Sequence, residues 1–279
     1  MKKQIKNILK ITIFFLLVLI IILAESHLRV DTTYQTIKSD KIPSEFDGTK
    51  IVLLTDYHNN SNIDEKILKI IEKESPKYIM MSGDMINEYE FEPFINFAKK
   101  LEKYETYYVF GNHEENMSHE ATDEYYKKLE KTNLKIINNQ KISLGNNMNL
   151  YGFSPEIKFY VRSLNEKMSY DYLYERIGEI DISQYNILLS HDPLFYEFYS
   201  EYDFDMILSG HVHGGVINTP FGGLLSPDFT FFPEYYRGNN KIKNTNLIIS
   251  RGLGYGNALK IRVFNNPEVV VVKLMKNNW

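Results

Sequence analysis

Two histidines separated by a single residue follow a short apolar run, residues 205–209. The motif reads Gly210-His211-Val212-His213-Gly214-Gly215. Its glycines supply the backbone freedom that lets both rings turn toward one point. Imidazole is the commonest metal ligand among protein side chains, so the motif indicates a metal site. A tight turn with two solvated histidines is the alternative when the motif is taken alone.

Four further segments carry metal-ligand residue types, and each follows a strand-like apolar run. Together with the first motif they hold five of the seven histidines of the chain. Two divalent cations that share one carboxylate need such an inventory of hard oxygens and neutral imidazoles. The chain has no cysteine, so any metal is held by oxygen and nitrogen. The segments are Asp56-Tyr57-His58, Gly83-Asp84, Gly111-Asn112-His113-Glu114 and Ser190-His191.

A two-metal site of this kind carries out phosphoryl chemistry. The cations lie about 3.5–4 Å apart and clamp the attacking and leaving oxygens of a phosphoryl group. Coordination also lowers the pKa of a bound water to about 7, so hydroxide is available near neutral pH. The structural alternatives are Asp56 as a helix cap, Asp84 as a turn residue and Asn112 as an Asx-turn. Their coincidence with five histidines favours the metal site.

In this order the motifs resemble those of the calcineurin-like metallophosphoesterase family, and residues 250–270 are similar to its bacterial, membrane-anchored branch. The resemblance implies an α/β fold over residues 49–275. This fold is a four-layer α/β/β/α sandwich with a dinuclear site between its sheets. Two divalent metal ions are the implied cofactors, with manganese expected and iron, zinc or cobalt as alternatives.

The resemblance also implies a role for each candidate site residue. Asp84 would bridge the two metal ions. His113 would bind no metal; it would orient the phosphate and protonate the leaving oxygen. The first metal would be held by Asp56, His58 and His213, and the second by Asn112, His191 and His211.

One position departs from the family pattern. Family members often carry a second aspartate three residues after the bridging one, where it partners the catalytic imidazole. Here that position is Asn87. An asparagine carbonyl accepts a hydrogen bond from a ring N–H but cannot stabilise an imidazolium by charge. Glu88, the next residue, is the alternative partner for His113.

The elements that must position these residues alternate between strands and helices. A helix is predicted after the motif that contains Asp56 and His58. Its apolar residues recur at helical spacing, at Ile63, Ile67, Ile70 and Ile71. In α/β sheets, functional sites lie at the carboxyl ends of the strands, where the motifs stand here. Further helices are predicted at 91–103, 119–131 and 169–180, and further strands at 134–137, 141–144, 149–153, 246–250, 259–263 and 269–274.

The amino terminus differs from the rest of the chain in composition. Residues 1–10 hold four lysines and no acidic residue. The apolar run 8–24 reaches roughly 17 residues, the lower limit for crossing a bilayer. We expect a single-pass transmembrane signal anchor in the cell membrane at 8–24, a cytoplasmic basic segment at 1–10 and an extracytoplasmic catalytic domain. A polar stalk is expected at 25–48. A cleaved signal peptide is the alternative, with Ala24-Glu25-Ser26 as its small-x-small cleavage site.

Charge and composition limit the partners and the substrate. Of the 32 basic residues, four lie in the first ten positions, which leaves 28 against 36 acidic residues and a formal net charge of −8. This balance argues against a nucleic-acid surface, which needs a basic stripe. We expect a monomer that hydrolyses a phosphodiester, phosphomonoester or pyrophosphate bond of a phosphorylated small molecule or lipid.

Large aromatic residues between 221 and 236 bear on the choice of substrate. They could contact an acyl chain or a lipid headgroup, or they could cover the open end of the sandwich. A lipid-linked or cell-envelope molecule is the expected substrate. The competing hypothesis is a membrane-tethered binding module on the same scaffold without catalysis. The presence of all seven expected ligands and of His113 argues against that hypothesis.

Overall fold

The apolar runs that precede the polar motifs form neighbouring strands of two six-stranded sheets. The computed structural model describes residues 2–87, 89–161, 164, 166–215, 217–219, 222–225, 231–255 and 262–277. The strands of the first sheet are β1 (Asp31–Ser39), β2 (Lys50–Leu54), β3 (Tyr78–Ser82), β4 (Glu105–Val109), β5 (Leu134–Ile136) and β14 (Glu268–Lys276). Those of the second sheet are β6 (Gln140–Gly145), β7 (Met148–Phe153), β8 (Tyr185–Ser190), β9 (Met206–Ser209), β12 (Gly238–Ile242) and β13 (Thr245–Ile249). A separate hairpin consists of β10 (Ile217–Thr219) and β11 (Gly222–Leu225).

Parallel pairing brings the carboxyl ends of the motif-bearing strands to one edge of each sheet. The first sheet has the order β1-β14-β2-β3-β4-β5, in which β14 and β2 pair antiparallel and the other neighbours pair in parallel. The second sheet has the order β12-β13-β9-β8-β7-β6, with antiparallel pairs at its two ends. Pairs such as Leu54 with Met81 and Leu189 with Leu208 align the strand ends. The polar motifs therefore start side by side.

Helices cover the outer faces of both sheets. A short helix, α4 (Asn112–Glu115), directly follows β4 and carries one of the polar motifs. Before the first strand lies α1 (Lys2–Leu28). The first sheet is covered by α2 (Asp64–Glu74), α3 (Glu92–Lys99) and α5 (His119–Leu129), and the second by α6 (Tyr170–Ile177) and α7 (Tyr196–Glu201).

Alternation of strand side chains divides the apolar core into three clusters. Successive residues of a strand point to opposite faces. Val52 accordingly shares a buried cluster with Ile67 of α2 and Phe94 of α3. Its neighbour Leu53 belongs to a second cluster, between the two sheets, that includes Leu208. A third cluster joins the outer face of the second sheet to α6 and α7. Helices, sheet, sheet and helices thus form the four layers that the resemblance implies.

The predicted polar stalk at 25–48 is wrong for its central part. Residues 31–39 form β1, which pairs in parallel with β14 from Asp31 opposite Glu268 to Ser39 opposite Lys276. Within this strand Ile37 is the one buried residue. An edge strand leaves one side unpaired and often exposes one face, so its sequence looks like a polar linker. The folded domain therefore includes residues from 31 onward and does not start at 49.

The predicted membrane anchor at 8–24 lies within α1. Among the residues and side chains that the structure describes, no helix combines the length and the hydropathy needed to cross a membrane. The structure therefore does not support the predicted transmembrane helix.

Several predicted elements are confirmed with shorter bounds. The helices expected at 91–103, 119–131 and 169–180 correspond to α3, α5 and α6. Residues 259–261 of a predicted strand lie outside the described residues. The strand β12, the β10–β11 hairpin and the helix α7 are additions that the apolar pattern did not predict.

Candidate metal centre

The site lies where five loops leave the carboxyl ends of β2, β3, β4, β8 and β9. Backbone hydrogen bonds tie these loops together. The N–H of Asp56 donates to the carbonyl of Gly83 at 3.0 Å, and the N–H of Gly210 donates to the carbonyl of His191 at 3.0 Å. The N–H of His211 donates to the Asp56 carboxylate at 3.1 Å and so joins the two sheets. Six of the predicted site residues lie in these loops: Asp56, His58, Asp84, His191, His211 and His213. The other two, Asn112 and His113, are the first residues of α4.

Five of these residues adopt a left-handed backbone conformation. The φ angles are 50° for Asp56, 45° for His58, 53° for Asp84, 68° for His211 and 48° for His213. For residues other than glycine, such a conformation costs on the order of 1–3 kcal/mol and persists only when the surroundings hold it. Strain of this kind concentrates at functional sites. The backbone of these loops is thus shaped to aim side chains rather than to minimise its own energy.

Asp56, His58 and His213 form the first group of potential ligands. Nε2 of His213 lies 3.3 Å from Oδ1 of Asp56 and 3.4 Å from Nε2 of His58. Thr55 Oγ1 donates to Oδ2 of Asp56 at 2.8 Å. All three potential ligands are buried, and their ligand atoms lie within 4.8 Å of one another. One cation can therefore contact an atom from each.

Asp84, His191 and His211 form the second group. Nε2 of His191 lies 3.1 Å from Oδ2 of Asp84 and 3.3 Å from Nδ1 of His211. Nδ1 of His191 donates to the carbonyl oxygen of Ser82 at 2.7 Å, which aims Nε2 at the site. Oδ2 of Asp84 also lies 3.9 Å from Nε2 of His58. The Asp84 carboxylate therefore sits between the two groups.

Asn112 and His113 reach the site from the start of α4. Oδ1 of Asn112 is buried and has no hydrogen-bond partner among the described residues. Nε2 of His113 lies 4.0 Å from Oδ2 of Asp84, and its ring packs edge-on against that of His58 with centroids 4.7 Å apart. The His113 side chain is 33% exposed, whereas that of His58 is 1% exposed. Of the two, only His113 is open to a molecule that approaches from solvent.

Burial and charge set the protonation of the site. Burial lowers the pKa of His58 to about 4 and lowers the pKa values of His211 and His213 from their ordinary value. Burial disfavours the charges of Asp84 and His191, but their mutual attraction outweighs it. The pKa of Asp84 is held well below its usual value, and that of His191 is raised to about 10. Metal ions bind neutral imidazoles and ionised carboxylates, so a cation at this site would displace the proton that the Asp84 carboxylate stabilises on His191.

The donor set fits two divalent cations. Nε2 of His58 lies 3.4 Å from Nε2 of His213, so one cation can contact both nitrogens. The orphaned Oδ1 of Asn112 would be satisfied by a second cation. Burial raises the pKa of Asp56 to about 6, which a nearby cation would reverse. The structure thus brings six of the seven predicted ligands together in two groups, and Asn112 lies beside them next to His113. Their oxygen and nitrogen donors suit divalent transition metals.

Asn87 takes a different role from the one expected. Its Oδ1 accepts a hydrogen bond from Nδ1 of His58 at 3.0 Å, and its Nδ2 donates to the carbonyl of His58 at 3.1 Å. Asn87, which was expected to partner His113, therefore orients His58 instead. It leaves Nε2 of His58 turned to the site. Glu88 lies outside the described residues. Within the described part of the chain, the ring nitrogens of His113 have no hydrogen-bond partner.

Glu114 has a role that the sequence analysis missed. Its buried carboxylate accepts hydrogen bonds from the backbone N–H groups of Gly111, Asp84, Met85 and Ile86 at 2.8–3.2 Å. It therefore joins the loop after β3 to the loop after β4. A glutamate three residues after a helix N-cap is the pattern of a capping box, and this signal was present in the sequence.

Arg262 is a second residue that the sequence analysis missed. Its guanidinium is buried, and it donates to the carbonyls of Gly254 at 2.9 Å and Arg251 at 2.8 Å. Its Nη2 lies 3.5 Å from Nδ1 of His213, 49 positions away in the sequence. Burial lowers its pKa to about 10, so it stays charged at neutral pH. A fixed positive charge thus lies directly behind one of the potential ligands.

Comparison with known proteins relates the whole domain to phosphoesterases. The profile of the calcineurin-like phosphoesterase family matches residues 49–215. An uncharacterized metallophosphoesterase of Campylobacter jejuni is 32% identical over 243 residues, 84% of this chain and 61% of that protein. The uncharacterized metallophosphoesterase YkuE of Bacillus subtilis is 28% identical over 267 residues, 91% of this chain and 88% of that protein. The UDP-2,3-diacylglucosamine pyrophosphatase of Chlamydia muridarum is 24% identical over 157 residues, 53% of this chain and 43% of that protein.

Proposed function

Because the chain belongs to the calcineurin-like phosphoesterase family, we propose that it hydrolyses a phosphate ester with two divalent cations held by seven side chains. Family membership confirms the predicted enzyme class, a metallophosphoesterase. The chain spans about three fifths (61%) of the length of its Campylobacter relative, so its substrate is argued from its own residues. The observation that carries the proposal is the convergence of buried ligand atoms from both sheets on one pocket.

The two groups of side chains assign the ligands. One cation would be held by Asp56, His58 and His213, whose ligand atoms form the first group. The other would be held by Asn112, His191 and His211, and Asp84 would contribute to both because it lies between the groups. When bound, the cations supply positive charge to the phosphoryl oxygens and lower the pKa of the attacking water.

His113 is the residue of this chain that moves a proton. It is the exposed member of the cluster, and its Nε2 lies 4.0 Å from the carboxylate between the two groups. The water oxygen bonds to phosphorus and the water gives one proton to solvent. The bond from phosphorus to the leaving oxygen breaks, and His113 gives its proton to that oxygen and regains one from solvent. The reaction consumes one water and yields the leaving group, an alcohol or a phosphate, together with the remaining phosphate or phosphate ester.

A lipid-linked or cell-envelope substrate is the class we propose. Three phenylalanines C-terminal to the last ligand, His213, are exposed: Phe231 by 67%, Phe232 by 75% and Phe264 by 52%. Exposed apolar side chains that lie together, as the adjacent Phe231 and Phe232 do, favour contact with an apolar partner. The name of the Chlamydia relative, a diacylglucosamine pyrophosphatase, is in keeping with this class. Tyr235 instead packs against Tyr196 of α7, with ring centroids 4.2 Å apart. This aromatic residue therefore follows the alternative interpretation, in which the aromatic side chains cover the sandwich.

Hydrolysis of bis(4-nitrophenyl) phosphate by the full chain, with manganese added after metal removal, tests the proposed activity. We expect Asp84→Asn to lose metal and activity together, and His113→Ala to lose activity while it keeps metal. His119→Ala is the matched control, because His119 is an exposed histidine at the start of α5, outside the cluster. Unchanged turnover in both site variants would refute the mechanism.

The substrate class is tested on lipid extracts analysed by mass spectrometry. Extracts are incubated with the active chain or with the Asp84→Asn variant. We expect the active chain alone to remove a phosphorylated lipid. If only water-soluble phosphate esters disappear, the lipid-linked class is wrong while the hydrolase proposal stands.

The cellular location stays a prediction. Four lysines before the apolar run 8–24 led us to expect the catalytic domain on the outer side of the cell membrane. Fractionation of cells that express the full chain, followed by protease treatment of intact spheroplasts, tests this location. Protection of the domain from the protease would contradict it.

A further inference from the structure

A cleft opens beside His113 on the solvent side of the metal centre. Its volume is about 460 Å³, within the range of small-molecule sites. One wall comes from Asn112 to Met117, which includes α4, and the other from the segment 157–161. His113 belongs to both the cleft and the ligand cluster, so the cleft is continuous with the metal centre.

The segment 157–161 is fixed in place by aromatic contacts. Phe159 packs against Tyr172 of α6 with ring centroids 4.6 Å apart, and Tyr160 packs against His211 with centroids 5.4 Å apart. Ile157, which precedes these two aromatic residues, and Val161, which follows them, line the cleft. The segment therefore belongs to the site, although its sequence carries no motif.

The cleft has a polar side, formed by Asn112, His113 and Asn116, and an apolar side. Tyr89, Met117, Ile157 and Val161 provide its aromatic and aliphatic surface. Tyr89 is 61% exposed and Val161 37% exposed, so both remain free to cover a bound molecule. Apart from His113, the lining residues that the structure describes are uncharged. Apolar contact of this kind favours binding in proportion to the apolar surface that a bound molecule removes from water.

This inference rests on the proposed function, in which His113 protonates the leaving oxygen. A substrate group that binds in the cleft beside His113 is therefore the leaving group. We infer that the cleft binds the leaving alcohol of the substrate through an alkyl or aryl portion, and that Ile157 and Val161 determine this preference. The substrate is thus an ester whose departing alcohol carries an apolar group. The other substituent of phosphorus lies outside the cleft.

A diester with two different alkyl groups tests this inference within one molecule. In methyl octyl phosphate either P–O bond can break, and the two alcohols are leaving groups of similar basicity. We expect octanol to exceed methanol about tenfold among the products, since apolar discrimination at a pocket reaches roughly 10-fold or more. The ratio does not depend on how much enzyme is folded or loaded with metal.

Paired variants locate the preference in the cleft. Ile157→Ser with Val161→Ser should bring the ratio of octanol to methanol close to one. Ile182→Ser should leave the ratio unchanged, because this 62% exposed isoleucine precedes β8 and lies at the opposite end of that strand from His191. Equal release of both alcohols by the unaltered chain, or a ratio that the double variant does not change, would overturn the inference.

Activity on a second substrate separates this inference from the proposed function. If bis(4-nitrophenyl) phosphate is hydrolysed but methyl octyl phosphate releases methanol alone or neither alcohol, the cleft assignment is wrong and the hydrolase proposal stands. If neither diester nor any monoester is hydrolysed with metal present, the proposed function itself fails.

Discussion

Replacement of Glu114 by glutamine should destabilise the whole metal centre, although Glu114 is not among its proposed ligands. The Glu114 carboxylate accepts four backbone hydrogen bonds. Oε2 accepts from Gly111 at 2.8 Å and Asp84 at 2.9 Å, and Oε1 accepts from Met85 at 2.8 Å and Ile86 at 3.2 Å. All four N–H groups point inward to one buried carboxylate, which is 1% exposed.

The magnitude follows from the geometry of the amide. A glutamine side chain offers one oxygen and one NH2 group, so in either orientation two of the four N–H groups face a donor. Each buried N–H without an acceptor costs about 1–3 kcal/mol. Glu114→Gln should therefore lower the free energy of unfolding by about 2–6 kcal/mol, before any relaxation of the loops.

Urea denaturation followed by circular dichroism, on chain stripped of metal by a chelator, measures this loss. Glu115→Gln is the matched control. The Glu115 carboxylate accepts a hydrogen bond from Ser154 Oγ at 2.6 Å, and an amide oxygen can replace it there. We expect about 1 kcal/mol or less for this variant. If the two variants unfold within 1 kcal/mol of each other, Glu114 does not hold the loops as argued.

Two further predictions concern the histidines. Asn87→Ala removes the acceptor that holds Nδ1 of His58, so metal affinity should fall about 10–100-fold. Asn87→Asp keeps an acceptor and should retain most of the affinity. Calorimetric titration with Mn²⁺ measures both, and equal affinity of Asn87→Ala and the unaltered chain would contradict the prediction. Stability of the metal-free chain should also fall as the pH drops from about 6.5 toward 4. In that window the unfolded chain protonates imidazoles that burial keeps neutral in the fold, where the pKa of His58 is about 4 and those of His211 and His213 are lowered. Groups whose pKa values are raised in the fold act in the opposite direction: Asp56, with a pKa of about 6, Glu114, Glu115, Asp205 and His191. Urea midpoints of the unaltered chain and of His58→Gln at pH 7 and pH 5 isolate the imidazole, because these other groups are common to both proteins. The unaltered chain should lose more stability between the two pH values than the variant does, and an equal loss would show that the ring is not held neutral.

The positions of the ligands could be predicted from the sequence because their signals are local. An apolar run followed at once by a polar residue marks the carboxyl end of a strand, and parallel pairing then gathers such ends at one edge. Asp56, Asp84 and His191 follow strand-like apolar runs, and the structure shows those runs as β2, β3 and β8. Nothing beyond strand order was needed to bring these residues together.

The contacts that hold the ligands could not be predicted in the same way. Asn87 meets His58 across 29 positions and Arg262 meets His213 across 49, and no period or local motif connects either pair. The edge strand β1 was missed for a related reason, since its polar side chains satisfy solvent and only its backbone pairs with β14. Sequence patterns report burial and local conformation. The missed contacts depend instead on which segments, distant in the sequence, lie next to each other in the fold.

The site geometry is set before any cation arrives, because the bonds that fix it use atoms that do not face the metals. Glu114 holds two loops through backbone N–H groups, and Arg262 holds a third through backbone carbonyls. Gly83 and Gly111 approach so closely that a Cβ at Gly83 would lie 2.6 Å from the nitrogen of Gly111. These contacts sustain the left-handed backbone of the ligand residues, which nothing in the ligands themselves favours. A cation that enters therefore meets donors already placed, and its selection depends on how well its size and preferred geometry match positions that the surrounding backbone has fixed.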